Sequence, residues 1–243
     1  MAKTKEQYLN NETSPLEYYE LAEPFSLEAF ALRMKRIVAA TGLAKGAVLD
    51  IGCTVGTFLQ AAKDAGWEAT GIEPNPLTAK AARARGFTVH EGFYDEAMAA
   101  RLPKYDAVHM GDVIEHVLDP VELMKLVRRA LKPGGVLFVA TPDIDSFVAS
   151  RLQVKPREHL VYFTTRSLKL AAEAAGYKVL FSERAGRRRS ITSMKYSTSF
   201  APSRRWIVSV LDVPVVRPLV ELGLATFFTD DVVVLARAEG VQS

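Results

Sequence analysis

A short acidic and glycine-containing segment is the first part of the sequence that could do chemistry. It covers residues 50–56, with the sequence DIGCTVG, and it begins at the end of an apolar run, AVLDI. Glycines between a strand and a helix let a ligand approach the backbone, and the helix start offers free N–H groups. A dinucleotide site would need a glycine in place of Thr54, to make room for a pyrophosphate. The segment therefore indicates a ligand without a pyrophosphate.

A second candidate is the carboxylate of Glu73, which ends the next apolar run, 21 residues beyond Gly52. A carboxylate at the end of the second strand of an α/β fold can accept hydrogen bonds from both hydroxyls of a ribose. Asp50 and Glu73 together predict a site for an adenosine ligand.

The elements that must position these residues alternate between strand and helix from about residue 47 to 140. This alternation predicts a parallel sheet with helices on both faces. Apolar residues at helical spacing also predict a helix near residues 27–38, with Ser26 as its N-cap and Gly42 as its stop. The predicted strands are 47–51, 68–72, 87–90, 105–110, 136–140, 177–182 and 231–236, and the other predicted helices are 55–65, 76–85, 120–131 and 165–175.

Four motifs in order resemble those of class I S-adenosylmethionine-dependent methyltransferases. They are DIGC at 50–53 with Gly56, GIEP at 71–74, YDAV at 105–108 and LKPGG at 131–135. The segment DVIEHV at 112–117 is similar to the ubiquinone-biosynthesis O-methyltransferase branch of that family. The resemblance covers about residues 45–182 and the last strand. It implies a Rossmann-like, doubly wound, seven-stranded α/β sheet that is mostly parallel with an antiparallel last strand, plus an N-terminal helical cap.

The resemblance also implies S-adenosylmethionine as the cofactor and assigns contacts to the loops that follow the strands. The loop from Gly52 to Gly56 would wrap the methionine part, Asp50 would help to hold its end, and Glu73 would bind the ribose. Cys53 would contribute only a backbone position. The cofactor-binding residues predicted in this way are Asp50, Gly52, Cys53, Gly56, Glu73, Gly92, Phe93 and Gly111.

Two histidines are candidates for catalysis by acceptor orientation or proton removal. Methyl transfer to a hydroxyl needs in-line positioning of the oxygen and a base for its proton. By the resemblance, His116 follows the fourth strand on the ligand side, and His159 lies in a loop that roofs the acceptor pocket. The alternative interpretation is that His116 only caps a helix and His159 only fixes its loop.

A D-x-x-E-H cluster, formed by Asp112, Glu115 and His116, could also ligate a divalent ion. The similar ubiquinone enzymes carry E-x-x-E-H for magnesium, and the shorter aspartate here departs from that pattern. We predict that no metal is bound and that these acids are ordinary residues at a helix start.

The composition is that of an ordinary globular protein. The 243 residues include 31 Lys and Arg against 28 Asp and Glu, and a net charge of +3 is too weak to predict nucleic-acid binding. One cysteine excludes an internal disulfide and fits a reducing compartment. The first residues contain no apolar signal-peptide core. We therefore predict a cytoplasmic protein that has no nucleic-acid partner.

A basic stretch without acidic residues covers positions 184–206 and predicts a loop or irregular insertion. An apolar, proline-broken segment follows it to residue 228. One interpretation is a solvated loop and a packed cap. The other is contact of 184–228 with an anionic acceptor or weakly with a membrane surface.

The predicted organisation is a helical cap over residues 1–44 and a methyltransferase domain over 45–243. An acceptor-pocket or insertion region occupies about 143–230 of that domain. The predicted reaction is S-adenosylmethionine-dependent methylation, at oxygen, of a small molecule, sugar or lipid intermediate. Methylation at nitrogen or carbon, and a non-catalytic cofactor-binding regulatory module, remain alternatives.

Overall fold

The computed structural model describes residues 16–147, 159–190 and 226–239. The strands are β1 (Ala47–Ile51), β2 (Glu68–Glu73), β3 (Thr88–Glu91), β4 (Tyr105–Gly111), β5 (Leu131–Pro142), β6 (Tyr177–Ser190) and β7 (Thr226–Ala238). The helices are α1 (Leu16–Thr41), α2 (Thr57–Asp64), α3 (Pro76–Ala84), α4 (Glu96–Arg101), α5 (Pro120–Arg128) and α6 (Thr165–Ala174), with a 3-10 turn at Ile114–His116. Sequence reasoning missed α4, although Asp95 accepts a hydrogen bond from the Met98 amide at its start.

The seven strands form one sheet in the order β3-β2-β1-β4-β5-β7-β6. The strands β1 to β5 are parallel, whereas β7 is antiparallel to both β5 and β6. The predicted sheet of seven mostly parallel strands with an antiparallel last strand is therefore confirmed. The strand order reverses between β1 and β4, and open α/β sheets bind ligands at the carboxyl ends of the strands that flank such a reversal.

The sheet is buried on both faces, which explains why its strands read as continuous apolar runs. Val48 and Leu49 are neighbours on β1, point to opposite faces and are both fully buried. Leu49 packs in the cluster that includes residues of α5 and α6. Val48 packs with Met34 and Ile37 of α1 and with Phe58 of α2.

The N-terminal helix differs from the prediction at its start and agrees at its end. The chain is already helical at Leu16 and continues through Pro24, so Ser26 lies inside α1 and is not its N-cap. Gly42 ends the helix with φ +71°, and its N–H donates to the carbonyl of Val38. No helix within the described ranges has the length and apolarity needed to cross a membrane.

The part of the basic stretch that the structure describes forms a strand. Residues 184–190 continue β6 and pair in register with β7, so the predicted loop is wrong there. The physical reason is that β6 is an edge strand, where charged side chains are well tolerated. Residues 191–225, which carry the rest of the basic stretch and most of the apolar segment, lie outside the described residues.

Candidate cofactor and acceptor site

The turn after β1 has three residues in the left-handed region of backbone conformation. Their φ angles are +80° at Gly52, +47° at Thr54 and +86° at Gly56. Glycine adopts this conformation freely, whereas a β-branched residue rarely does. The strained Thr54 is held in place because its N–H donates to the Glu73 carboxylate, at 2.9 Å. Strain of this kind concentrates at functional sites.

Glu73 ends β2 and ties two segments together. Its Oε2 accepts from the Thr54 amide, and its Oε1 accepts from the Asn75 amide, at 2.8 Å. Burial raises the pKa of Glu73, and these hydrogen bonds offset part of that rise. Each carboxylate oxygen has two lone pairs, so each can accept a further hydrogen bond from a ribose hydroxyl.

Packing explains two glycines of the turn region. A Cβ on Gly52 would lie 2.6 Å from Cγ2 of Val113, and one on Gly71 would lie 2.4 Å from Sγ of Cys53. Cys53 therefore fills the space that a side chain at position 71 would take. Burial raises the pKa of its thiol, so the sulfur stays protonated and is not a nucleophile.

Asp50 lies beside His109, its register partner on β4. The Asp50 Oδ1 atom is 2.7 Å from Nδ1 of His109, and both side chains are buried. The imidazole stacks on the ring of Phe58, with the centroids 3.8 Å apart. The sequence alone does not reveal this contact, because only strand register places the two side chains together.

The remaining predicted cofactor residues lie at the same edge of the sheet. Gly92 follows β3, and its N–H donates to the carbonyl of Glu73, at 3.0 Å. Phe93 comes next and is half-buried, and Gly111 ends β4. The fold thus brings the predicted residues to the carboxyl ends of β1 to β4, while their contacts with the cofactor stay a prediction.

Two histidines far apart in sequence meet above the end of β4. The rings of His116 and His159 are 4.9 Å apart and nearly perpendicular. The loop that carries His159 is fixed by two backbone bonds, because the amides of Leu160 and Val161 donate to the carbonyl of Glu115. The ring of Tyr162 lies 5.9 Å from that of His159.

Two polar atoms near these histidines have no hydrogen-bond partner among the residues that the structure describes. They are Oε1 of Glu115 and the hydroxyl of Tyr162, and both atoms are buried. The other Glu115 oxygen accepts from the Thr141 hydroxyl, at 2.9 Å. Burial, with the nearby Asp112 charge, raises the pKa of Glu115 to about 8, so it is mostly protonated at neutral pH. Native structures rarely leave buried polar atoms unpaired, and such atoms mark places where a ligand's polar group can bind.

The residues that could ligate a metal in the structure differ from the three that the sequence indicated. Asp112 is paired with Arg187, through contacts of 2.9 and 3.3 Å. His159 takes the third position instead, because one ligand atom from each of Glu115, His116 and His159 lies within 4.8 Å of the others. Two imidazoles and a carboxylate form a donor set that suits a divalent transition metal.

Two arginines of the basic stretch, the half-exposed Arg184 and the buried Arg187, form ion pairs with acids of the protein. Arg184 is bonded to Asp143, which follows β5. Arg187 is bonded to Asp112 and lies 3.3 Å from Asp231 on β7. Because these charges are balanced internally, they do not support the interpretation that Arg184 and Arg187 bind an anionic acceptor or membrane.

Comparison with known proteins gives a family match. Residues 26–181, well over half of the chain, match the family described as a methyltransferase domain. The ubiquinone biosynthesis O-methyltransferase of Actinobacillus pleuropneumoniae serotype 7 is 35% identical over 112 residues, which is 42% of this chain and 48% of that protein. The same enzyme of Xanthomonas oryzae pv. oryzae is 32% identical over 116 residues, 45% of this chain and 48% of that protein. The chain thus spans about half the length of the curated relatives it matches.

Solved structures share the fold along most of the chain. One is an S-adenosylmethionine-dependent methyltransferase of Thermotoga maritima, named as a possible histamine N-methyltransferase. It has a TM-score of 0.59 and 21% identity, covering 98% of this chain and 100% of that one. Another such methyltransferase, from Archaeoglobus fulgidus, has a TM-score of 0.58 and 20% identity, covering 87% and 94%. At these identities the likeness shows the fold alone.

Proposed function

The chain belongs to the family of methyltransferase domains, whose cofactor is S-adenosylmethionine, and on that premise we propose that it methylates an oxygen of a small-molecule acceptor. The support for oxygen is that the matched curated relatives are named O-methyltransferases. Sugars and lipid intermediates are acceptor classes within this proposal. Methylation at nitrogen is the second candidate; a structural neighbour is named as a possible histamine N-methyltransferase, although at 21% identity that likeness shows the fold alone.

The cofactor half of the proposal is supported by the turn after β1 and by the end of β2. Glu73 ends β2 with carboxylate oxygens that can accept from a ribose, and the turn from Gly52 to Gly56, which would contact the methionine part, is bonded to Glu73 through the Thr54 amide. The carboxylate of Asp50 suits the charge of a cofactor that carries an ammonium and a sulfonium. The turn holds Thr54 in place of the glycine that a pyrophosphate requires.

The observation that carries the acceptor half is the pair of unpartnered atoms on Glu115 and Tyr162 beside His116 and His159. An acceptor hydroxyl that bonds to either atom would supply the hydrogen bond that this atom lacks. Its oxygen attacks the methyl carbon, the bond from carbon to sulfur breaks, and sulfur keeps the electron pair to give S-adenosylhomocysteine. The hydroxyl proton passes to a base, for which His116 and His159 are the candidates.

Calorimetric titration tests the cofactor, with S-adenosylmethionine, S-adenosylhomocysteine and NADH as ligands. We expect binding of the first two and none of NADH. Labelled S-adenosylmethionine is then offered with phenol, catechol, sugar and amine acceptors, and the products are identified by mass spectrometry. Methyl ethers support the proposal, and N-methyl products support the second candidate. Cofactor binding without turnover would favour the regulatory module.

We further propose that the reaction needs no divalent metal, because Asp112, the first acid of the D-x-x-E-H cluster, is paired with Arg187. Dialysis against EDTA should then leave the rate unchanged. A rate that falls with EDTA and returns with added zinc or magnesium would contradict this and assign a metal to the cluster of Glu115, His116 and His159.

A further inference from the structure

A chain of buried side chains connects the cofactor edge of the sheet to the N-terminal helix. Its first contact joins Oδ1 of Asp50 to Nδ1 of His109, at 2.7 Å, and its second joins Nε2 of His109 to Nη1 of Arg33 on α1, at 3.1 Å. None of the three residues is more than 5% exposed. Asp50, His109 and Arg33 thus form one continuous buried chain of contacts.

Only one hydrogen-bond pattern satisfies both contacts with a neutral imidazole. A guanidinium has donors and no acceptor, so Nε2 of His109 must accept from Arg33. The ring proton is then on Nδ1, which donates to Asp50. Burial and the Arg33 charge lower the pKa of His109, against the charges of Asp50 and Asp112. The net lowering keeps the ring neutral.

Arg33 is itself held by a second contact. Its Nη2 lies 3.2 Å from Oδ2 of Asp231 on β7, and its guanidinium carbon lies 5.0 Å from the centre of the Phe30 ring. The same carboxylate oxygen is 3.3 Å from Nε of Arg187. Two guanidinium groups therefore share the carboxylate of Asp231, which fixes Arg33 between α1 and the sheet.

The position of Arg33 also explains why β4 ends in glycine. A Cβ on Gly111 would lie 2.9 Å from Nη1 of Arg33 and 3.0 Å from Cε1 of His109. A side chain at this position would push the arginine away from the histidine. Arg33 thus touches the strand end at Gly111, which the family resemblance assigns to the cofactor site.

We propose that Arg33 is a positioning residue of the cofactor site, which fixes the His109 tautomer that holds the Asp50 carboxylate toward the methionine end of the cofactor. The inference rests on the proposed function, because it assumes that Asp50 faces the cofactor. Arg33 acts through His109 and touches no reacting atom. Helix α1 is then part of the cofactor site as well as a cover for the sheet.

Nitrogen NMR of the wild-type protein labelled on histidine tests the tautomer directly and needs no variant. We expect His109 to show a protonated Nδ1 and an unprotonated Nε2 from about pH 7 to 8, where an imidazole with a lowered pKa is neutral. The groups whose charge acts on the ring are Asp50, Arg33 and Asp112. A proton on Nε2 within this range would overturn the inference.

Calorimetry with S-adenosylhomocysteine then compares Arg33→Met with Arg36→Met. Arg36 is the matched control, because it lies one turn on in α1 and pairs with Glu183 of β6. We expect about tenfold or greater loss of affinity for Arg33→Met and no more than about twofold for the control. Arg33→Lys should recover part of the affinity, since a lysine can still donate to Nε2.

The pKa of His109 should also be higher in Arg33→Met than in the wild type, because the charge that lowered it is gone. Unchanged affinity and an unchanged titration in Arg33→Met would overturn the positioning role alone. Failure of the wild-type protein to bind S-adenosylhomocysteine would overturn the cofactor role and this inference together. If Arg33→Met does not fold, Arg33→Lys and the wild-type tautomer decide the matter.

Discussion

The acids at the carboxyl ends of the parallel strands differ in what holds them. Asp112 and Asp143, after β4 and β5, are paired with arginines. Asp50 and Glu73, at the ends of β1 and β2, are held by a neutral imidazole and by backbone amides. Within the described residues, no cationic side chain contacts these two carboxylates directly. Their negative charges are therefore available to a cationic cofactor.

At this scale, we expect Glu73→Ala to weaken binding of S-adenosylhomocysteine by more than tenfold and to leave the fold intact. The change removes the acceptor for the ribose and also the acceptor for the Thr54 amide. Calorimetry measures the affinity and circular dichroism the fold. Glu91→Ala is the control, because Glu91 is the register partner of Glu73 on β3 and is paired with Arg83. Equal affinities of Glu73→Ala and the wild type would remove Glu73 from the site.

Substitution of His116 or His159 should lower the turnover number without weakening cofactor binding. We expect His116→Ala and His159→Ala each to lower kcat by about 100-fold, the usual minimum for loss of a general base. Affinity for S-adenosylhomocysteine should stay within about twofold, since we propose that these histidines contact the acceptor and not the cofactor. His90→Ala, on β3, serves as the control. If both histidine variants kept wild-type rates, the histidines would only fix the loop and the turn.

At the scale of elements, the sheet positions the site through a few turns that other parts of the chain fix. The turn after β1 is bonded to β2 twice, because the amides of Gly52 and Cys53 both donate to the carbonyl of Ile72. The loop at residues 159–163 is bonded to the 3-10 turn and pairs with the end of β5 through Phe163 and Asp143. Neither turn can move without breaking bonds to a strand or to its neighbour.

The turn after β1 gives a prediction with a close internal control. Gly52 and Gly66 have φ +80° and +79°, but only at Gly52 would an added Cβ meet another residue, Val113. Gly66→Ala should cost about 1 kcal/mol of unfolding free energy, from backbone strain alone. Gly52→Ala should cost a further ~1–3 kcal/mol from the steric clash and should weaken cofactor binding.

Urea unfolding of both glycine variants, followed by titration with S-adenosylhomocysteine, measures the two effects. Equal costs at the two positions would show that Val113 gives way freely and that the turn is less constrained than its contacts indicate.

At the scale of the whole molecule, several buried acids set how stability depends on pH. Burial raises the pKa of Glu115 to about 8 and that of Asp231 to about 6, against ordinary values of 4.5 and 3.8. For each acid, at pH values between its ordinary pKa and its raised pKa, the folded protein binds more protons than the unfolded chain. The free energy of unfolding therefore falls as pH rises through that range. Burial alone would raise the pKa of Asp112, but the Arg187 charge outweighs it and lowers that pKa to about 2, so this group stabilises the fold above its ordinary pKa of 3.8 and loses that contribution as pH falls.

The lowered pKa of His109 acts in the opposite direction below its ordinary value of 6.5, but three acids with raised pKa values, Glu73, Glu115 and Asp231, outweigh this one group. We therefore expect the protein without cofactor to be more stable at pH 5 than at pH 8. Each group with a raised pKa contributes a slope of about 1.4 kcal/mol per pH unit while it titrates. Glu115→Gln should flatten the profile, because the amide stays neutral at every pH. Urea midpoints at pH 5 and pH 8 measure the effect. A midpoint that increases with pH in the wild type, or an equal slope in Glu115→Gln, would contradict the buried state of this carboxyl.

The sequence by itself determined the sheet and the cofactor edge. Buried parallel strands leave continuous apolar runs, and the motifs at their ends are local in sequence, so Asp50, Gly52 and Glu73 could be placed at one edge. The helix bounds were accurate to a few residues where a proline or glycine marks them, as at Pro76 and Gly42. The start of α1 was missed, because Ser26 is a good N-cap in isolation and the residues before it gave no stronger signal.

Only the tertiary structure decided which distant side chains meet. His159 joins Glu115 and His116 through a loop, Arg187 reaches Asp112 from an edge strand, and Arg33 reaches His109 from a helix 76 residues away in sequence. The spacing of residues cannot reveal these contacts, because they depend on strand order and register. The same contacts set the pKa of each buried group, since burial and nearby charge are properties of the folded chain.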